Sequence, residues 1–171
     1  MNSTTLKLLT ESPEETRQAA AALAEVLQPG DVLGLQGTLG AGKTCFVKGI
    51  ARGLGVPDEA AVTSVSFLLM KRHEGRLPLH HFDAYRLTGA GELEAIGARE
   101  ALEGDGVSVI EWADHVSDVL PAECFSVDIR VTGAQNREIE ISAEGASHEE
   151  RLESARDALS RWIPAGNSTE N

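Results

Sequence analysis

Positive charge is what this chain most lacks. Across 171 residues, 15 lysines and arginines stand against 27 aspartates and glutamates, a formal net charge of −12. That balance argues against a broad basic surface gripping nucleic acid through its phosphates, so any RNA substrate is expected to be held by a partner. Only two cysteines occur, Cys45 and Cys124, in no metal-binding or redox spacing. No zinc is expected, and a reduced thiol is the simple expectation at Cys45. No apolar run approaches the length of a membrane span and no basic-apolar leader opens the chain, so the expected location is cytoplasmic, away from any membrane. Internal repeats and interior linkers are missing too. The remaining composition, 42% hydrophobic and 25% charged, is that of an ordinary globular chain long enough to bury a core. One domain over residues 1–163 is expected, with a polar, disordered tail at 164–171.

What is present centres on Gly37-Thr38-Leu39-Gly40-Ala41-Gly42-Lys43-Thr44. The stretch satisfies G-x-x-x-x-G-K-[ST], the phosphate-binding or Walker A pattern. Its three glycines let the backbone curl and turn successive N–H groups inward as an anion nest. Lys43 adds a point charge for phosphate oxygens, and the Thr44 hydroxyl suits a magnesium ion. A helix beginning near Lys43 would also aim its positive dipole end at the phosphates. Context agrees: Val32-Leu33-Gly34-Leu35 reads as a buried strand before the loop, and Phe46, Val47, Ile50, Ala51 and Leu54 recur at helical spacing after it. A glycine-rich turn before an ordinary helix leaves the closing Lys-Thr unexplained. The spacing is not G-x-G-x-x-G, which disfavours NAD.

Along the chain, Leu6, Leu8 and Leu9 mark a first strand. Ser12-Pro13-Glu14-Glu15 announces a helix, with Ser12 as cap, Pro13 in the first turn and Glu15 completing a capping box. Thr16, Ala20, Leu23 and Leu27 supply its buried stripe. Residues 67–70 look strand-like, and a turn at His73-Glu74-Gly75-Arg76 would return the chain antiparallel through Leu77 to Asp83. A helix over residues 92–101, a strand over 107–110, a terminal hairpin from 125–131 and 138–141, and a last helix over 148–162 complete the pattern. The expected fold is α/β: a P-loop NTPase-like three-layer sandwich with a mixed, partly parallel central sheet.

A phosphate loop alone does not cleave; hydrolysis also needs an acid at a strand end. Asp83 ends Leu79-His80-His81-Phe82-Asp83 and Glu111 ends Val107-Ser108-Val109-Ile110-Glu111, where ligands of open α/β sheets gather. Ser64 and Ser66 lie where a nucleotide-sensing switch often sits, although a strand-edge pair of serines is the plainer reading. His80 and His81 would point to opposite faces of a strand, one packed and one solvent-facing, and are assigned no metal. Arg86 reads as a surface salt-bridge residue. Trp112 suits core packing as well as a cover over a base or a partner surface. Arg137 falls in the presumed terminal hairpin turn. The guanine-reading N-K-x-D motif is absent and no arginine-rich lid is evident, so a GTP switch and a small-molecule kinase are the weaker alternatives to an ATPase.

Taken together, these pieces resemble the TsaE (YjeE) family of tRNA threonylcarbamoyladenosine synthesis, from about Thr10 to Ile141. The specific marks are the glycine loop, Ser64-Val65-Ser66-Phe67, His81-Phe82-Asp83-Ala84-Tyr85-Arg86-Leu87 and Glu111-Trp112. The resemblance implies an ATP-binding, weakly hydrolysing subunit that works with TsaB and TsaD, meets tRNA only through that complex, and is not itself the transferase. It implies nucleotide-binding roles for Gly37, Thr38, Leu39, Gly40, Ala41, Gly42, Lys43, Thr44 and Cys45, with Ser66, Trp112 and Arg137, the last near the base. It implies catalytic roles for Lys43, Asp83 and Glu111, and a Mg²⁺ held by Thr44, Glu111 and Asp83. Two positions depart from the family pattern: Val65 replaces the proline of S-P-T-[FY], loosening the switch, and Thr38 replaces an aspartate beside the phosphates.

Overall fold

The computed structural model describes residues 3–64 and 69–166. Seven strands form one sheet: β1 (Thr4–Thr10), β2 (Val32–Gln36), β3 (Met70–His73), β4 (Leu79–Asp83), β5 (Val107–Glu111), β6 (Cys124–Val131) and β7 (Arg137–Glu144). Their spatial order is β1-β7-β6-β2-β5-β4-β3. The centre is parallel, with β2 pairing both β5 and β6, and β5 pairing β4. Antiparallel pairs close both edges. The mixed, partly parallel α/β sheet is therefore as expected, with β4, β2 and β5 buried along nearly their whole length.

Helices cover both faces. Helix α1 (Pro13–Ala24) starts at Ser12, whose hydroxyl accepts from the Glu15 N–H at 3.1 Å. The return half of the box shifts by one residue, because the Glu15 carboxylate accepts from the Glu11 N–H at 2.7 Å. The buried side chains of α1 and of α2 (Lys43–Gly53), Leu23, Phe46, Val47 and Ile50 among them, meet Leu33, Leu35, Phe125 and Val127 in one core. On the opposite face, Leu93 of α3 (Ala90–Ala95) and Ala98 of α4 (Ala98–Leu102) pack with Val32, Phe82, Ile110 and Val116. The two α2 and α1 helices touch closely: a Cβ built on Gly49 would lie 2.4 Å from the Arg17 carbonyl oxygen.

Several expected boundaries move. The helix over 92–101 is two short helices, because Gly97 turns the chain at φ 83° between them. Strand β3 begins only at Met70, while Val65, Ser66 and Phe67 lie outside the described residues, as does the tail from Asn167. The last helical segment starts two residues early, as α5 (Ala146–Ser154), then α6 (Arg156–Leu159) and a 3₁₀ turn through Trp162. Asp31, just before β2, fastens α5 to the sheet by accepting from both terminal nitrogens of Arg151, at 2.5 and 2.9 Å.

Candidate functional site

Because β2, β4 and β5 are parallel, their carboxyl ends open on one edge, and the glycine loop leaves from the end of β2 there. Gly37, Gly40 and Gly42 all have positive φ, at 149°, 79° and 107°. Gly37 is confined as well as turned: a Cβ on it would stand 2.6 Å from the Ile129 carbonyl oxygen. Helix α2 then starts at Lys43, and its cap, Gly42, has no side chain to accept from the first turn. Ser12 does that work for α1. In α2 the first-turn N–H donors are left for something else, and an anion is what they suit.

The two expected acids stand side by side. Asp83 is the register partner of Glu111 across β4 and β5, and both are buried. Thr44 donates its hydroxyl to Glu111 Oε1 at 2.8 Å, which brings the loop and the acid together. Asp83 accepts from the Tyr85 N–H at 2.9 Å and from the Ser64 hydroxyl at 3.3 Å. These donors are hard oxygens, the chemistry that magnesium takes from one or two carboxylates, a hydroxyl and phosphate. Among the described residues no group of three His, Cys, Asp or Glu side chains has metal-holding geometry. The oxygen set present fits an ion whose other ligands come from substrate and water.

The Lys43 ammonium donates to the Gly37 and Thr38 carbonyls, at 2.5 and 2.9 Å, and sits 3.8 Å from the centre of the Trp112 ring. Burial pushes it below the usual lysine range, while Glu111, Asp114 and Asp83 pull the other way. Trp112 belongs to an aromatic wall with Tyr85 at 4.9 Å and His115 at 5.4 Å. Leu39, Lys43, Ser64, Asp83, Arg86 and Trp112 line a cleft of about 360 Å³. A second hollow of about 310 Å³ opens between Pro13, Thr16, Cys45, Gln135 and Arg137. Cys45 thus borders both, and burial pushes its thiol up. A larger hollow, about 580 Å³, lies at the opposite end of the sheet, where four acids, Glu94, Glu103, Asp118 and Glu123, outnumber Arg99, itself paired with Glu94, and disfavour a polyanion.

Two residues do more than their sequence context announced. His80 and His81 are both buried, so neither faces solvent. His81 Nε2 lies 2.5 Å from Glu111 Oε2, so Glu111 has a partner on each oxygen. Strand β4 has a neighbour on either side and a core on either face, which is why both histidines are enclosed. Arg137 is the first residue of β7 rather than a turn residue, and its guanidinium donates to Ala41 in the glycine loop at 2.7 Å.

Residues 10–139 match the family described as Threonylcarbamoyl adenosine biosynthesis protein TsaE. The chain belongs to the TsaE family. It is 41% identical over 137 residues to the tRNA threonylcarbamoyladenosine biosynthesis protein TsaE of Treponema pallidum, covering 80% of this chain and 100% of that one. It is 43% identical over 145 residues to the Bacillus subtilis protein of the same description, covering 84% and 89%. The crystal structure of YdiB from Bacillus subtilis superimposes with a TM-score of 0.77 at 37% identity, over 92% of this chain and 98% of that one. The fold is therefore the one seen in the YdiB crystal structure, and the family is one of threonylcarbamoyl adenosine biosynthesis. The family match takes in the glycine loop, both acids and Trp112, all of which fall within residues 10–139. No helix among the described residues is long and apolar enough to cross a membrane.

Proposed function

We propose that this chain is an ATP-binding, weakly hydrolysing accessory subunit that acts with TsaB and TsaD in the threonylcarbamoyl modification of adenosine 37 in tRNAs reading codons that begin with A. The observation that carries the reading is the convergence of Thr44, Glu111 and Asp83 on the mouth of the glycine loop. The uncommitted N–H donors of the glycine loop and of the first turn of α2, with the ammonium of Lys43, receive the phosphates. Thr44, Glu111 and Asp83 would hold Mg²⁺, which when bound neutralises charge on the transferred phosphoryl group. The carboxylates of Glu111 and Asp83 would also orient the attacking water. The adenosine end would lie toward Pro13, Thr16 and Cys45, where the second hollow has room for a ring.

Transfer of the threonylcarbamoyl group belongs to TsaD, and the ATP cycle of this subunit resets or activates the assembly between turnovers. Tyr85, Trp112 and Leu39 stand at the mouth of the cleft where such a partner would sense the nucleotide. The charge of −12 keeps tRNA with the partners, and a cytoplasmic setting follows from the substrates. The test is to mix the purified chain with TsaB and TsaD and follow phosphate release and modified tRNA. The reading expects ATP hydrolysis to rise in the mixture and modification to stop without this chain. Indifference of both to the chain would refute it.

A further inference from the structure

One guanidinium joins the glycine loop to a hairpin nearly a hundred residues further along the chain. Arg137 Nε donates to the Ala41 carbonyl at 2.7 Å, and Nη2 reaches the Gly40 carbonyl at 3.4 Å. From its other side, Nη1 donates to Asn136 at 2.8 Å and to Gly133 at 3.2 Å. All four acceptors are main-chain carbonyls, two in the loop and two in the β6–β7 turn, which the Thr132 N–H to Asn136 bond closes at 3.1 Å. The same hairpin supports the loop at its start, where Gly37 presses on Ile129.

We infer that Arg137 is a positioning residue of the phosphate cradle, fixing the loop in its anion-receiving shape through the Gly40 and Ala41 carbonyls. The inference rests on the reading of the loop as a polyphosphate site. In a planar trans peptide the C=O and N–H point opposite ways, so anchoring the Ala41 carbonyl to Arg137 turns the Gly42 N–H away from it. The Ala41 N–H is already committed to the Thr38 carbonyl at 3.0 Å. Glycines at three loop positions leave the backbone free to take many shapes, and a fork with fixed donor directions removes that freedom before a ligand arrives. Lysine at this position keeps the charge but not the fork.

The experiment titrates Mg-ATP and Mg-tripolyphosphate, which has no base or ribose, into the unaltered chain, Arg137→Gln and Arg137→Lys, with thermal unfolding to establish that each is folded. Both variants are expected to lose affinity for both probes by the same factor, on the order of tenfold, the worth of one charge-assisted hydrogen bond. In steady-state hydrolysis KM is expected to rise while kcat at saturating ATP stays near its original value. Should Arg137→Gln not fold, Arg137→Lys alone decides. Full tripolyphosphate affinity in a folded variant would overturn the inference: if ATP alone weakens, Arg137 reads the nucleoside, and if lysine restores both probes, charge suffices. If the unaltered chain binds neither probe, the polyphosphate reading falls first and takes this inference with it.

Discussion

Asp83 and Glu111 occupy matching positions on adjacent parallel strands, each the last residue of its own. Only Glu111 reaches across to the glycine loop, through Thr44, and it is braced from behind by His81. The pair is therefore unequal. Glu111 joins the loop to the sheet, whereas Asp83 is tied to the segment that follows it and to Ser64.

That inequality predicts a kinetic signature for Glu111. Glu111→Gln keeps the shape but loses charge, so ATP affinity measured by calorimetry should change little while magnesium-dependent kcat falls on the order of a hundredfold. An unaltered kcat in Glu111→Gln would remove this residue from the chemistry.

Lys43 and Trp112 provide a spectroscopic reporter. The chain has two tryptophans, and the other, Trp162, is buried in the first core. On the proposed function, ATP draws the ammonium off the indole face, so emission should change on titration. Trp112→Phe should abolish that change, and Lys43→Ala should alter the starting emission and lose the response to ATP. A full response in Trp112→Phe would show that the signal arises elsewhere.

Gly49→Ala should act against the usual helix preference. Replacing glycine by alanine inside a helix normally gains about 1 kcal/mol. Here the new methyl would meet the Arg17 carbonyl oxygen at 2.4 Å and the Ala20 side chain at 2.6 Å. Forcing the helices apart should instead cost about 1–3 kcal/mol in urea unfolding. Since α2 carries Lys43 and Thr44 at its start, ATP affinity should fall with it.

Acid should loosen the β3–β4 edge. Burial holds His73 and His80 below the usual histidine range, with Lys71 near the first and Arg72 near the second acting in the same direction, while Asp105 and Glu74 oppose the shift of His80. The unfolded chain therefore takes up these protons at a higher pH than the folded one. Stability contributed by the neutral rings is complete above about 6.5. It falls as pH drops below that value, until the folded histidines themselves protonate. Urea midpoints measured from pH 8 to pH 5 should decline, and His73→Gln with His80→Gln should flatten the decline. An equal slope in the double variant would place the acid sensitivity in other groups.

Much of this was legible in the chain because it is local. The glycine loop, the Ser12 cap and the acids at the ends of Leu79-His80-His81-Phe82-Asp83 and of Val107-Ser108-Val109-Ile110-Glu111 are written in consecutive residues. Their adjacency was not, since strand order depends on which faces bury against which helices. The roles of His81 and Arg137 were hidden for the same reason. His81 acts through register with a strand thirty positions away, and Arg137 through main-chain carbonyls that have no side-chain signature. The break at Gly97 did carry a signal, a glycine inside a helical pattern, but propensity alone does not say whether such a residue is absorbed or turned.

The most direct test of the account is a crystal structure with magnesium and a non-hydrolysable ATP analogue. It predicts phosphate density against the N–H groups of the glycine loop and the first turn of α2, Gly42 among them, with the ion beside Thr44 and the carboxylates of Glu111 and Asp83. Phosphates seated at another surface, or an ion that neither acid approaches, would contradict it.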